Sequence, residues 1–301
     1  MFCPRNPGYL PLSTLPAREL LELSTLPPQR ASAFGVSSDE APNPEVTEMN
    51  SQAWLDYFEH NRTPRSNALA PEAGASLLPE LRAALIHSLQ CFQIGEVGEG
   101  RVVHQVAASA SSVFDDATRR AIDLYVREEG RHARELSDAI VALGARPLGR
   151  HWSALLFKRC RRLLGVQTKL MSMAAAEIVG GTLYELVRDR VPCASLSRVM
   201  AKIAADEARH LDFQAELFGR IARRAPRALQ APYALWLSGE FALILAAAIA
   251  TVAFDHRCLL ALLDVSPAAF ARACLRTGSA RLPLLASRPA SPPELATDGV
   301  G

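Results

Sequence analysis

Two pentapeptides far apart in the chain follow one pattern: Glu128-Glu129-Gly130-Arg131-His132 and Asp206-Glu207-Ala208-Arg209-His210. In each, a glutamate and a histidine lie three residues apart, a spacing at which both side chains project from the same face of a helix. The pairs Glu129–His132 and Glu207–His210 can therefore each reach a single metal ion. The repetition predicts that two helices contribute matching ligand pairs to one site.

Apolar residues continue both pairs at steps of three or four along the chain. Ile122, Tyr125 and Leu136 flank the first pair, and Val199 and Ile203 precede the second. This spacing is typical of the inward stripe of an amphipathic helix. The ligand pairs thus occupy positions that would otherwise belong to the core.

Two further predicted helices carry glutamates on the same kind of stripe. Glu177 follows Met173 at helical spacing, and Glu96 and Glu99 follow a run of apolar residues that includes Phe92. On the stripe alone, either Glu96 or Glu99 can be the ligand from that helix. Each proposed ligand lies near the middle of its predicted helix, so the four helices should bring these acids to one depth.

Charge explains why metal is expected there. Four carboxylates in one core would repel one another and lose their hydration, at a cost of several kcal/mol for each uncompensated ion. Two divalent ions neutralise them, and carboxylates with imidazoles suit iron or manganese better than structural zinc. One Glu from each of two helices plus Glu-x-x-His from each of two others is a known arrangement for two metals. We therefore predict two Fe ions, or Fe with Mn, on Glu129, His132, Glu177, Glu207 and His210 together with either Glu96 or Glu99.

Other polar residues are candidates for contacting these ligands rather than the metals. A single Glu-x-x-His is usually a chance match whose glutamate pairs with arginine in solvent, but two copies with inward acids favour a site. Arg131 and Arg209 are either solvated charges or bridges to the acid that heads the opposite motif. The full set of such candidates is Glu99, Glu128, Arg131, Tyr184, Asp206 and Arg209, of which Glu128 and Asp206 can orient the histidine rings.

The remaining histidines are not expected to bind metal. They have no partner at ligand spacing in the sequence, and they are His60, His87, His104, His151 and His256. We also expect no catalytic side chain beyond the metal centre.

Composition limits the partners and the compartment. The formal net charge of +2 does not favour nucleic acid. Six cysteines without a CxxC pair, and no secretion signal near Met1, favour reduced thiols in the cytoplasm. The longest apolar stretch, residues 241–254, has 14 residues, fewer than the ~20 needed to span a bilayer, so a buried or membrane-touching helix is expected.

With these residues in view, the chain resembles the ferritin-like di-iron carboxylate superfamily. Its oxygenase and desaturase members carry two copies of an (Asp/Glu)-Glu-x-Arg-His motif, and both copies here match. Residues 95–101, Gly-Glu-Val-Gly-Glu-Gly-Arg, are similar to the first-ligand segment of the demethoxyubiquinone hydroxylases. That similarity implies Glu96 as the ligand, with Glu99 beneath it. The resemblance covers residues 77–218.

The predicted fold is all-α, a ferritin-like four-helix bundle with an additional apolar C-terminal helix. The first helix is expected at residues 77–108, and the second runs from a cap at Asp115 or Asp116 to Gly144. The third covers 166–190, with or without an earlier section from His151. The fourth runs from a cap at Ser195 or Ser197 to Arg224, and the apolar helix starts near Pro232. Residues 1–75 should form an irregular segment, in which 54–59 could be a short helix. Residues 76–280 should form the helical domain, and 281–301 a disordered tail.

Glycines near the proposed ligands bear on function. Each mid-helix glycine costs about 1 kcal/mol relative to alanine, so those at Gly95, Gly98, Gly100, Gly180 and Gly181 suggest space for a substrate. The resemblance then implies a di-iron hydroxylase or monooxygenase of a small organic or apolar substrate, with dioxygen as co-substrate. The alternatives are a ferroxidase or metal-binding protein without organic substrate, and a metal-free interaction bundle. An external ferredoxin or flavoprotein reductase, peripheral membrane contact and a homodimer are the expected partnerships.

Overall fold

The computed structural model describes residues 50–62, 76–97, 100–152 and 165–281. All regular secondary structure within these ranges is helical, which confirms the all-α prediction. The helices are α1 Ser51–His60, α2 Pro79–Glu96, α3 Gly100–Ala108, α4 Asp116–Ala142, α5 Val166–Arg190, α6 Ala194–Arg223, α7 Arg227–Asp255, α8 Arg257–Leu262 and α9 Pro267–Arg281.

Helix α4 begins and ends where the sequence chemistry indicates. The Asp115 side chain accepts a 2.7 Å hydrogen bond from the Thr118 backbone N–H, as a helix cap does. At the other end Gly144 adopts φ 81°, a left-handed conformation that costs glycine little. Backbone N–H groups of Gly144 and Ala145 there donate to Val141 and Ile140 carbonyls. Both ends are therefore fixed by local residues.

Other helix boundaries differ from the predictions. The single helix predicted over residues 77–108 is two helices in the structure, because Val97 takes an extended conformation after α2. Helix α6 starts at Ala194, ahead of both serines predicted to cap it, and Ser197 instead donates to the Arg188 carbonyl at 2.9 Å. Helix α7 starts five residues before Pro232, which lies in its second turn. Helices α8 and α9 were not predicted.

Four helices pack around the centre of the molecule. Helix α2 packs against α4, α4 against α6, and α6 against α5. Their fully buried side chains include Leu85, Tyr125, Leu136, Tyr184 and Phe213. Helix α9 contacts α5, α6 and α7, so it closes one side of this core.

Helix α1 covers part of the same core. Trp54 and Phe58, one turn apart, are both buried, and α1 packs against α4. The Trp54 indole N–H donates to Glu216 Oε2 on α6 at 2.9 Å. Within the N-terminal segment expected to be irregular, residues 51–60 are thus helical. The rest of that segment apart from 50, 61 and 62, and the tail from 282 onward, lie outside the described residues.

Within the described ranges two helices, α5 and α7, are long and apolar enough to cross a membrane. The most apolar window of α5 is 78% buried, as in the core helix of a soluble protein, whereas that of α7 is 33% buried. Helix α7 has 29 residues, twice the apolar run noted in the sequence. Large apolar side chains are exposed on it at Leu229, Leu235, Trp236, Leu243 and Phe254. Length and composition alone do not assign a membrane to either helix.

Candidate metal centre

The two pentapeptides meet in the core. Glu129 and His132 from α4 and Glu207 and His210 from α6 are all buried, and each offers a ligand atom within 4.8 Å of the others. His132 Nδ1 lies 3.1 Å from Glu207 Oε1, and His210 Nδ1 lies 2.8 Å from Glu129 Oε1. The histidine of each helix therefore faces the glutamate of the other. This cluster could hold metal.

Glu96 and Glu177 reach the same region from α2 and α5. The Tyr184 hydroxyl donates to Glu96 Oε1 at 2.9 Å, and Glu177 accepts from the Tyr125 hydroxyl and, at 2.8 Å, from the Gln214 amide. Burial, with the nearby negative charge of Glu129 and Glu207, raises the pKa of Glu96 and of Glu177 well above the usual range.

Glu99, the other candidate on the first predicted helix, lies outside the described residues. Glu96 is thus the acid of this segment that the structure brings to the cluster.

Buried polar atoms without hydrogen-bond partners point to a ligand. Among the described residues, five such atoms belong to the cluster: Glu129 Oε1, His132 Nδ1, Glu177 Oε2, Glu207 Oε2 and His210 Nδ1. Although some lie within ion-pair distance of one another, none has the geometry of a hydrogen bond. Buried polar groups are normally satisfied, and unsatisfied ones call for an explanation. A pair of cations among three carboxylates and two imidazoles would supply it.

The outward ring nitrogens are held across the two helices. His132 Nε2 donates to Asp206 at 3.2 Å, and His210 Nε2 donates to Glu128 at 3.2 Å. Carboxylates behind a ligand histidine fix its ring and leave the other nitrogen free to bind. Each motif therefore supplies the acid that orients the histidine of the other, and both Nδ1 atoms face inward.

The two arginines of the motifs behave differently. Arg131 contacts Glu128 on its own helix and Asp206 on α6, the latter at 2.6 Å, as the bridging hypothesis expects. Arg209 instead pairs with Asp212 on its own helix at 3.4 Å. The bridge to the opposite motif is made from α4 only, because Arg209 is about half exposed and turned to solvent.

Protons balance the charge of the metal-free cluster. Burial alone would lower the pKa of His132, but the contacts with Asp206 and Glu207 outweigh it and raise the pKa to about 10. Burial would raise the pKa of Glu129, but the attraction of His210 outweighs it and lowers the pKa to about 2. Binding cations must therefore release protons from the imidazoles.

A cavity of about 310 Å³ reaches the cluster from the side of α9. Its wall includes Glu177, Gly181 and Glu207 on the side of the cluster, and Arg276 and Thr277 on α9. A Cβ atom added to Gly181 would touch Glu207 Cβ at 3.5 Å. Gly181 therefore lies in the cavity wall, at an ordinary contact distance from Glu207.

The other glycines differ. A Cβ atom at Gly180 would meet the Phe92 ring at 3.4 Å, an ordinary contact distance, while nothing lies within 4 Å of one at Gly95. Gly98 lies outside the described residues, and nothing about the surroundings of Gly100 is described.

Sequence reasoning missed several contacts of this centre. Gln214 donates to Glu177 at 2.8 Å, and its position four residues after His210 on the same helix was a usable signal. Phe58 of α1 packs against His210 with ring centroids 6.1 Å apart. The only sequence signal for this contact was the four-residue spacing of Trp54 and Phe58, which is typical of one buried face of a helix. No pattern in the sequence indicated that α9 would form part of the cavity wall.

The prediction that no other histidine has a partner at ligand spacing is wrong. His87 lies four residues before Cys91 on α2, and both converge with His151 and Asp255 in a second group of ligand atoms. The spacing of His87 and Cys91 was visible in the sequence, whereas the approach of the other two residues was not.

Comparisons with protein-family models, with curated proteins and with solved structures found no match. The chain is thus characterised by its own structure, an all-helical protein with a buried carboxylate–imidazole cluster that could bind metal.

Proposed function

We propose that this protein is a di-iron, oxygen-activating oxidoreductase, a hydroxylase or monooxygenase of a small organic or apolar substrate. The observation that carries the proposal is the cluster of buried carboxylates and imidazoles beside a cavity, in which five ligand-type atoms have no hydrogen-bond partner. The fold we propose around them is a ferritin-like bundle of α2, α4, α5 and α6. Those helices supply Glu, Glu-x-x-His, Glu and Glu-x-x-His in that order, as two-metal bundles do.

Two iron ions, or iron with manganese, would supply the reduction of dioxygen when bound. The protein's own residues orient the metal ligands and shield them from water. Asp206 and Glu128 keep both imidazole Nδ1 atoms inward, while Tyr184 and Tyr125 hold Glu96 and Glu177 in place through their hydroxyls. The fully buried rings of this region exclude water from the carboxylates.

The overall reaction needs an electron donor. Inserting one oxygen atom into a C–H or N–H bond and releasing the other as water consumes two electrons and two protons. We propose a ferredoxin or a flavoprotein reductase as the source of the electrons. The six cysteines of the sequence include no CxxC pair that could relay electrons.

The cavity favours an oxygenase over a ferroxidase. A ferroxidase needs access for small ions, whereas about 310 Å³ beside Glu177 and Glu207 is at the lower end of the sizes of small-molecule pockets. Gly181 keeps the wall open at a position where any larger side chain would project beside Glu207. The space is therefore suited to an organic molecule held against the metal ligands.

The apolar face of α7 supports peripheral contact with a membrane from which an apolar substrate could come. Trp236 and Leu243 are more than half exposed there. Flotation with liposomes tests this contact, and Trp236→Ser with Leu243→Ser should abolish it. A wild-type protein that stays wholly in the soluble fraction contradicts the membrane contact, and sedimentation as a dimer would assign the face to a second copy.

The function itself is tested by loading the protein with Fe(II) without oxygen, then admitting dioxygen in the presence of a cell extract of small molecules. Mass analysis with labelled dioxygen should detect an organic product that gains one labelled oxygen atom. Continuous dioxygen uptake that depends only on added Fe(II), with ferric mineral and no labelled product, would instead identify a ferroxidase.

A further inference from the structure

A second cluster of ligand-type side chains lies where α2, the segment after α4 and the end of α7 meet. His87 and Cys91 lie one turn apart on α2, His151 lies in the segment that follows α4, and Asp255 is the last residue of α7. Each offers one ligand atom, and all four atoms lie within 4.8 Å of one another. Three segments that are distant in sequence thus present donors to one point.

The four ligand atoms lie close together, but the nitrogens and the carboxylate oxygen are farther apart than in hydrogen bonds. Cys91 Sγ lies 3.8 Å from His87 Nε2 and 3.7 Å from Asp255 Oδ2, while Asp255 Oδ2 lies 3.8 Å from His87 Nε2 and 3.5 Å from His151 Nε2. The nitrogen–oxygen distances exceed those of N–H···O hydrogen bonds, which are about 2.7–3.2 Å. Direct hydrogen bonding between these imidazoles and the carboxylate therefore does not explain the arrangement.

Tetrahedral coordination does explain it. Zinc binds cysteine sulfur at about 2.3 Å and histidine nitrogen or carboxylate oxygen at about 2.0–2.2 Å, which places tetrahedral donors roughly 3.3–3.6 Å apart. The four measured separations are within a few tenths of an ångström of this range.

We propose that His87, Cys91, His151 and Asp255 form a second metal site, which binds one Zn²⁺ and is separate from the Glu/His centre. The cysteine thiolate and the carboxylate would neutralise the dication, and the thiol proton is released to solvent on binding. A soft sulfur donor selects zinc over the iron or manganese favoured by the carboxylate-rich centre. Four protein ligands leave no open position, which is the pattern of a structural site.

The surroundings support a structural role. His256, beside Asp255, is buried, and its Nδ1 is hydrogen-bonded to Ser88 Oγ at 2.8 Å. Ser88 follows His87 on α2, so this contact holds the two ligand-bearing segments together independently of metal. The His87 side chain is 45% exposed, while Asp255 and His151 are 12% exposed. Zinc can therefore enter past His87, and a bound ion would tie α7 and the residue-151 segment to α2.

Zinc content alone does not test the site, because zinc can also enter the Glu/His centre. Co²⁺ replaces zinc in such sites, and a cysteine ligand gives it a thiolate charge-transfer band in the near ultraviolet that carboxylates and imidazoles do not give. The test is a Co²⁺ titration of the full-length, metal-free protein, followed by Zn²⁺.

The expected result is a thiolate band whose plateau intensity corresponds to one bound Co²⁺ per chain and which disappears when Zn²⁺ displaces Co²⁺. The band should be lost in Cys91→Ser and retained in Glu207→Ala. In His87→Gln the affinity for Co²⁺, measured from the band, should fall at least about tenfold. Matched controls are Cys193→Ser, a thiol outside the cluster, and His104→Gln, an exposed histidine on α3; both should retain it.

A wild-type protein without the band, or a band that survives in Cys91→Ser, would overturn the proposal. Circular dichroism shows whether each variant is folded. If Cys91→Ser does not fold, Asp255→Asn replaces it, with a lower affinity for Co²⁺ as the expected result and an unchanged affinity as the contrary one. Failure of this site would leave the Glu/His centre untouched, because no ligand is shared.

Discussion

The two clusters differ in how the chain builds them. The Glu/His centre takes Glu177 and both Glu-x-x-His pairs from the interiors of long helices and Glu96 from the end of α2, and its histidines are completely buried. The His/Cys/Asp cluster takes His87 and Cys91 from the interior of α2, Asp255 from the end of α7 and His151 from a connecting segment, and His87 is 45% exposed. The first needs cations to offset buried carboxylates, whereas the second has a charge that one dication would cancel. A deep centre suits chemistry shielded from water, and a shallow one suits fastening segments together.

The largest expected effect on the Glu/His centre comes from removing one of its central ligands. In Glu207→Ala we expect the loss of at least one of two irons, because no other acid of α6 faces the cluster from that position; Asp206 is already engaged by Arg131 and His132. Elemental analysis after anaerobic loading measures this. The control is Asp189→Asn, an exposed acid on α5. Two retained irons in Glu207→Ala would remove Glu207 from the ligand set.

A substitution beside the ligands should separate chemistry from metal binding. Gly181→Leu adds a side chain at the cavity wall near Glu207, and we expect iron loading close to wild type with organic turnover blocked or redirected. Product analysis and ferrous oxidation rates report the two effects. If the glycine serves packing instead, leucine should destabilise the fold by about 1–3 kcal/mol and release iron as well. Gly180→Ala, which meets the Phe92 ring, is the matched packing control.

Weakening a contact behind a histidine should have a smaller effect. In Asp206→Asn the His132 ring loses its carboxylate partner, and iron affinity should fall about 10–100-fold without loss of a ligand. Competition with a chelator measures the affinity. Asp212→Asn alters another acid of α6, one that pairs with Arg209 on α6 and Arg281 on α9, and should change the iron affinity little. Equal effects of both variants would argue against a role for Asp206 in orienting the ring.

These residues also show how far sequence reasoning reached. The repeated motif identified the helices that meet at the centre, because ligand spacing is a local property of a helix. The cross-helix exchange, in which Asp206 serves His132 and Glu128 serves His210, was only an option in the sequence, since the packing of α4 on α6 decides it. The break at Val97 and the wall formed by α9 depend on tertiary contacts that periodicity does not record.

The His/Cys/Asp cluster shows most clearly which sites a sequence does not reveal. His87 and Cys91 are separated by one helical turn and could have been noticed, but His151 and Asp255 come from segments 60 or more residues away from them. The packing of α2, the end of α7 and the segment after α4 brings the four together. A repeated local motif is readable in a sequence, whereas a site assembled from three distant segments is not.

A further prediction concerns the pH dependence of stability. Because the pKa of His132 in the folded, metal-free protein is raised from 6.5 to about 10, its proton stabilises the fold fully below about pH 6.5. That stabilisation should be lost as the pH rises through about 10. Thermal unfolding of the metal-free protein across this window measures it, and His132→Gln should flatten the dependence. A melting temperature that rises over the window would contradict the protonated cluster.

The central claim is that the Glu/His centre holds two metal ions. It is tested most directly by loading the Cys91→Ser variant with Fe(II) anaerobically, so that the second cluster does not contribute, and measuring iron per chain together with the Mössbauer spectrum after oxidation. We predict two irons per chain and a spectrum of spin-coupled ferric pairs. One iron per chain with the spectrum of an isolated ferric ion, or no retained iron, would contradict the account.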